Sequence, residues 1–212
     1  MERKEISKSV LKRLPIYLSY LKSLPQGSAE NISATALANA LGMGEVQVRK
    51  DLAMVSDGGR PKIGYLRENL IDDIEQFLGY DNTTDAVLIG AGKLGQALCG
   101  YSGFKAYGLN ILAAFDCNPP TAQTQEGTPI YPMEQLQSFC RTNKVLMGII
   151  TVPAQYAQQV CDQLIDCGIK AVWSFAASHL EVPEGILVQY ENMATSLAVL
   201  SMHLQAQIKE KK

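Results

Sequence analysis

Val87-Leu-Ile-Gly-Ala-Gly-Lys-Leu-Gly-Gln-Ala-Leu98 joins an apolar run to three glycines, Gly90, Gly92 and Gly95, spaced GxGxxG, and then to an apolar helix opening. Alone the spacing is weak. Here it follows a strand read over 86–90 and opens a helix read over 93–99, the context the motif requires. Gly90 makes the tight turn, Gly92 lets a pyrophosphate approach the backbone, and Gly95 lets helix pack on strand. The helix N-terminus then aims N–H donors at the phosphates. Asp116 closes the next strand, 21 residues past Gly95. A carboxylate there accepts from a ribose 2′-hydroxyl and repels a 2′-phosphate, which favours NAD(H) over NADP(H). Coenzyme A on the same fold is the related alternative.

Downstream, strands read over 109–115, 145–151, 170–175 and 186–190 alternate with a helix over 154–167 that Gly168 stops. Alternating strands and helices imply an α/β, doubly wound parallel sheet of Rossmann type. Fewer than 100 residues follow Asp116. They complete the sheet and leave no substrate domain, so no enzyme is expected. Tyr101-x-x-x-Lys105 spells a short-chain dehydrogenase pair but falls too early in the chain. His179 reads as a loop histidine near the nucleotide, with no nucleophile beside it. A small NAD(H)-binding oxidoreductase remains the alternative of another class.

Upstream, the break is read near 75–84, giving domains 1–80 and 81–191 and a terminal segment 192–212. The first domain reads as helices. Leu11, Leu14, Leu18 and Leu21 share a helical spacing, with Pro15 marking a start or a kink. Ser33 caps a second helix that ends at Gly42, and a third runs from 44 to 55. A short glycine-containing turn between two helices is the mark of a helix-turn-helix. Val48, Leu52 and Val55 make one apolar stripe, leaving Gln47, Arg49 and Lys50 for a DNA groove. Asp57-Gly-Gly-Arg-Pro-Lys-Ile-Gly-Tyr65 then reads as a hairpin with Arg60 and Lys62 at its tip, so the domain is a winged helix.

The chain has 212 residues, 47% apolar and 19% charged, and carries a net charge of −2. Residues 1–67 hold 11 Lys and Arg against 6 Asp and Glu, and the rest hold 8 against 15. A basic head on an acidic body fits a chain in which only the head meets phosphate. Cysteines at 99, 117, 140, 161 and 167 form no CxxC, and with His179 and His203 they assemble no zinc set. They read as thiols of a reducing compartment. No run approaches a membrane span, and Met1-Glu-Arg-Lys-Glu lacks an apolar leader region. A cytoplasmic protein is expected. From Asn192 to Ile208 there is no Asp, Glu, Lys or Arg, while Leu197, Leu200, Leu204 and Ile208 line one face. Such a helix belongs in another subunit or a cleft, or, in the plainer reading, over its own sheet.

A winged helix, a complete Rossmann sheet and a long apolar terminal helix resemble the Rex family of redox-sensing transcriptional repressors. The phrases that carry the likeness are Lys12-Arg-Leu-Pro-Ile-Tyr, Val48-Arg-Lys-Asp-Leu, Gly90-Ala-Gly-Lys-Leu-Gly, Tyr101-Ser-Gly-Phe, Ala114-Phe-Asp, Thr151-Val-Pro-Ala and Val182-Pro-Glu-Gly. The resemblance implies a homodimer with swapped terminal helices, bound to an inverted-repeat operator and released when NADH binds. It places Arg49 and Lys50 on DNA and Arg60 and Lys62 at the wing. Gly90, Ala91, Gly92, Lys93, Leu94, Gly95 and Asp116 would hold the adenosine half. Thr151, Val152 and Pro153, with Ser174, Phe175 and Ala176, would lie near the nicotinamide. The family's switch couples a tyrosine, matched by Tyr101, to an arginine and an aspartate, which here read Ser19 and Asn192. The chain also has Gly44 for the usual Asp cap, Ala53-Met-Val-Ser for Ser-Tyr-Phe-Gly, and Gly59-Arg-Pro-Lys at the wing. A paralogue with weakened coupling is therefore the second expectation.

Overall fold

The computed structural model describes residues 7–25, 27–80 and 83–210. The chain divides into two compact units, Met1–Asn82 and Thr83–Lys212.

The first unit is built on four helices. Helix α1, Lys8–Ser23, buries Val10, Leu14, Tyr17, Leu18 and Leu21, a three-and-four spacing that keeps one face inward. The helix runs through Pro15 instead of starting there. After strand β1 (Asn31–Ile32), the Ser33 hydroxyl accepts from the Ala36 N–H at 3.0 Å and caps α2, Ala34–Leu41. Gly42 ends α2 in the left-handed conformation, at φ 63°. Helix α3, Glu45–Val55, follows at once and buries Val48 and Leu52 against α1 and α2. Strand β2 (Tyr65–Leu66) pairs antiparallel with β1. Between α3 and β2, Arg60 and Gly64 exchange both backbone hydrogen bonds at 2.9 Å, closing a tight wing. Inside it, Lys62 takes a left-handed φ of 66°. A fourth helix, α4 (Arg67–Leu78), seats Leu70 and Ile74 in the same core.

The second unit is a six-stranded parallel sheet. Its strands are β3 (Thr84–Ile89), β4 (Leu109–Asp116), β5 (Ile130–Pro132), β6 (Met147–Ile150), β7 (Ala171–Ser174) and β8 (Leu187–Tyr190). Their order is β5-β4-β3-β6-β7-β8, so the winding reverses between β3 and β6. Period-two alternation on β3 sends Val87 and Ile89 into one core with Phe115 and Leu164, and Ala86 and Leu88 into the other with Ala114 and Ile149. Helix α5 (Lys93–Cys99) follows β3, and a single helical turn, α6 (Gly103–Ala106), precedes β4. Helix α7 (Leu136–Asn143) precedes β6, and α8 (Ala154–Asp166) crosses from β6 to β7. Helix α9, Met193–Glu210, ends the described chain with Leu197, Leu200, Leu204 and Ile208 all more than half exposed. It does not cover its own sheet, which corrects the plainer reading of that segment. Among the described residues no helix is long and apolar enough to cross a membrane.

Candidate functional site

The turn after β3 is shaped by what a side chain would strike. A Cβ on Gly95 would lie 1.9 Å from the Gly90 carbonyl oxygen, so helix and strand approach as closely as glycine permits. Gly90 has φ 104°, and a Cβ there would meet the Thr151 hydroxyl at 2.9 Å. Beside Gly92 nothing lies within 4 Å, so that backbone faces open space. The Thr151 hydroxyl, within 3.0 Å of the Ile89 carbonyl and 2.8 Å of the Gly90 carbonyl, ties β6 to the turn. Gln96 donates to the Ala91 carbonyl at 2.8 Å and fixes the turn from the helix side.

A cavity of about 530 Å³ opens here, at the carboxyl ends of the strands where the winding reverses. That is where ligands bind in open α/β sheets. Gly90, Gly92, Asp116, Thr151, Val152 and Pro153 line it. Asp116 accepts from the Ala91 N–H at 2.8 Å and from the Asn118 N–H at 2.9 Å. It therefore holds the glycine turn as well as facing the cavity, a role the sequence reading missed. Lys93 and Leu94 sit exposed on the first turn of α5, outside the lining, while Ala91 and Gly95 are packed beneath it. Cys117, Asn118 and Met133 also line the cavity and were not anticipated.

Ser174, Phe175 and Ala176 end the neighbouring strand but do not line this cavity. Ser174 is fully buried, and Phe175 donates its N–H to Ile150 at 2.9 Å. Ala176 instead borders a second hollow of about 320 Å³ with His179, Tyr190 and Asn192. His179 stacks on Tyr190 with ring centres 5.7 Å apart. Neither histidine nor any cysteine joins a group that could hold a metal among the described residues.

In the first unit, Arg49, Arg60 and Lys62 meet around a groove of about 420 Å³. Its remaining wall includes Ser33, Ala34 and Thr35, the amino end of α2, whose dipole adds positive potential. Arg49 pairs with Glu45 one turn back on α3. Lys50 is exposed and stands outside the groove. Gln47 does not project freely, since its side-chain amide lies 2.9 Å from the Arg13 guanidinium and accepts from it once the amide is turned to present its oxygen. Arg13 also grips Asp51, a carboxylate buried on the inner face of α3, at 2.7 and 2.8 Å. The Tyr17 hydroxyl donates to Asp51 at 2.8 Å. Burial, then the Asp51 carboxylate, pushes the Tyr17 phenol up to about 12. The same carboxylate pushes the Arg13 guanidinium up.

Tyr101 is 54% exposed in the second unit, its ring edge-on to Phe104. Ser19 lies exposed on α1. Asn192 precedes α9, and its side-chain oxygen accepts from the Thr195 N–H at 3.1 Å, so it caps that helix.

Two family models match, one described as a CoA binding domain over residues 81–178 and one as a putative DNA-binding protein N-terminus over residues 5–53. A redox-sensing transcriptional repressor Rex from Porphyromonas gingivalis is 39% identical over 197 residues, 92% of this chain and 90% of that protein. The crystal structure of RSP in complex with beta-NAD+ and operator DNA matches with a TM-score of 0.88 and 32% identity, over 98% of this chain and 96% of that one. RSP in complex with beta-NADH matches with a TM-score of 0.83 and 32% identity, over 99% and 100%.

Proposed function

The chain belongs to the Rex family of redox-sensing transcriptional repressors, and we propose that it grips operator DNA as a homodimer and lets go when NADH displaces NAD+. The observation that carries this reading is the meeting of Arg49, Arg60 and Lys62 at the amino end of α2. Cations from recognition helix and wing, beside a helix N-terminus, suit a phosphate backbone. Lys50 is free to reach a base edge.

The cavity beside Gly92 takes the nucleotide. Its open backbone receives the pyrophosphate, and Asp116 keeps lone pairs for a ribose hydroxyl while repelling a 2′-phosphate. Thr151, Val152 and Pro153 face the nicotinamide half, and Ser174, Phe175 and Ala176 support that wall from the adjoining strand. Residues 1–80 form the DNA-binding domain, 81–191 the NAD(H)-binding domain, and 192–212 the dimerisation segment. An exposed helix face without charge fits burial in a second copy, exchanged between protomers. The protein works in the cytoplasm, where DNA and both nucleotides are present.

A second reading, weakened coupling, is favoured by Asn192, whose side-chain oxygen is engaged in capping α9. Ser19 likewise carries no charge for an ion-pair switch with Tyr101.

Fluorescence anisotropy of a labelled inverted-repeat duplex, with NADH or with NAD+, tests both readings. Tight binding lost with NADH and kept with NAD+ supports the repressor. Tight binding indifferent to either supports the uncoupled paralogue. Arg49→Ala should weaken binding and lower the salt slope by about 1 if Arg49 holds a phosphate. Unchanged affinity in Arg49→Ala would sink the groove assignment.

A further inference from the structure

We propose that Trp173 is the positioning residue that carries the state of the nucleotide cavity to the root of α9, an inference that rests on the function proposed above. Trp173 is the sole tryptophan of the chain. On β7 its ring meets Phe175 at 4.9 Å and, edge-on, Phe104 at 5.5 Å. Phe104 in turn meets Tyr101 at 4.9 Å. Four rings thus run in unbroken contact from the end of β7 to the exposed tyrosine before α6.

This row is tied at its Phe175 end and at Trp173 to something that can change. Phe175 donates its backbone N–H to Ile150, and Thr151, the next residue, lines the nucleotide cavity. At the other side the Trp173 indole N–H donates to the Glu191 carboxylate at 3.1 Å. The Glu191 backbone N–H donates to the Ser174 carbonyl at 2.8 Å, and the next residue, Asn192, caps α9. The root of α9 is therefore fastened to β7 by one main-chain and one side-chain bond, and the side-chain bond belongs to Trp173. Close-packed rings transmit a displacement from one to the next. A shift of β6 at Thr151 when the cavity fills passes through the Ile150–Phe175 hydrogen bond to the Phe175 ring, turns the indole and changes the hold on Glu191. A coupling path of this kind is established only by coupling measurements, so the test reads coupling.

Protein labelled with 5-fluorotryptophan gives one fluorine resonance, because there is one tryptophan. NADH and NAD+ should shift it to different positions, and Glu191→Ala should collapse that difference. In operator titrations, Trp173→Phe keeps an aromatic ring, though a smaller one, and removes the donor. Trp173→Phe and Glu191→Ala should bind NADH as the parent does while the NADH-dependent loss of operator affinity shrinks by about fivefold or more. Glu191→Gln, which retains an acceptor oxygen, should restore it. A resonance at one position in both nucleotide states overturns the proposal. So does full coupling in Glu191→Ala, or a parallel loss of NADH binding and coupling, which marks a merely structural role. Failure of NADH to bind the parent protein overturns the proposed function and this inference together, whereas binding with an unmoved resonance overturns this inference alone.

Discussion

Asp51 on α3 accepts both arms of the Arg13 guanidinium, at 2.7 and 2.8 Å, although the two residues lie 38 positions apart. The Asp51 side chain is 4% exposed. Removing one partner of such a pair leaves a buried charge uncompensated. Arg13→Ala, which leaves the Asp51 carboxylate in the interior with Tyr17 alone, should therefore destabilise the first unit by about 1–3 kcal/mol. Thermal unfolding followed by circular dichroism measures the loss, and a change below 1 kcal/mol would contradict a buried, bonded pair.

Tyr17 supplies a pH signal at the same place. Its phenol is raised to about 12 in the folded chain from an ordinary value of 10. The folded state holds that proton longer than the unfolded state does. Stability from this group is full below pH 10, falls between pH 10 and 12, and is lost above. Over that window the midpoint of urea unfolding should drop more steeply in the parent protein than in Tyr17→Phe.

The three motif glycines should fail differently. Gly95→Ala puts a methyl 1.9 Å from a backbone oxygen and should cost about 1–3 kcal/mol in stability, with loss of nucleotide binding. Gly92→Ala meets nothing within 4 Å and should fold as the parent does. Its methyl enters the space assigned to pyrophosphate, so NADH affinity should fall by about tenfold or more. Calorimetric titration beside a melting curve separates the two.

Cysteine labelling reports on the cavity. Burial pushes the Cys140 thiol up to about 12, and burial with the nearby Glu126 carboxylate pushes Cys99 up to about 11. Both should resist iodoacetamide at pH 8, since the thiolate is the reactive form. Cys117 is exposed and lines the cavity proposed for the nucleotide. It should alkylate first, and saturating NADH should slow it. Peptide mass spectrometry over time checks the order and the protection.

Helix α9 should govern assembly. Leu200 is 65% exposed in the single chain. Leu200→Asp should leave the fold intact and shift a dimer toward monomer in sedimentation velocity. Unchanged mass would remove α9 from the interface.

Much of this molecule is legible in the chain because its signals are local. Gly90, Gly92 and Gly95 mark the turn, and α5 runs over 93–99 as their spacing predicts. Ser33 and Gly42 bracket α2 because a hydroxyl cap and a left-handed glycine act within one turn. What escapes is what distant parts decide. Asp51 stands in the sequence as one acid beside Arg49 and Lys50, and its burial depends on Arg13 from another helix. Ser174, Phe175 and Ala176 end the neighbouring strand, yet Ser174 is fully buried, Phe175 packs on Trp173 and Ala176 borders the second hollow, none of which shows in the local sequence. Strand β5 has three residues, one of them Pro132, too few to show alternation. Helix α4 is hidden because Glu68, Asp72, Asp73 and Glu75 dilute its apolar spacing next to the domain break.

The left-handed backbone of Lys62 marks a compromise at the wing. Glycine would occupy that conformation freely, whereas a side chain with a Cβ strains there by about 1–3 kcal/mol. The chain tolerates the strain and keeps an ammonium group at the tip of the loop. A search for more heat-resistant variants would therefore favour glycine at this position, and in doing so would give up the ammonium group proposed to hold DNA.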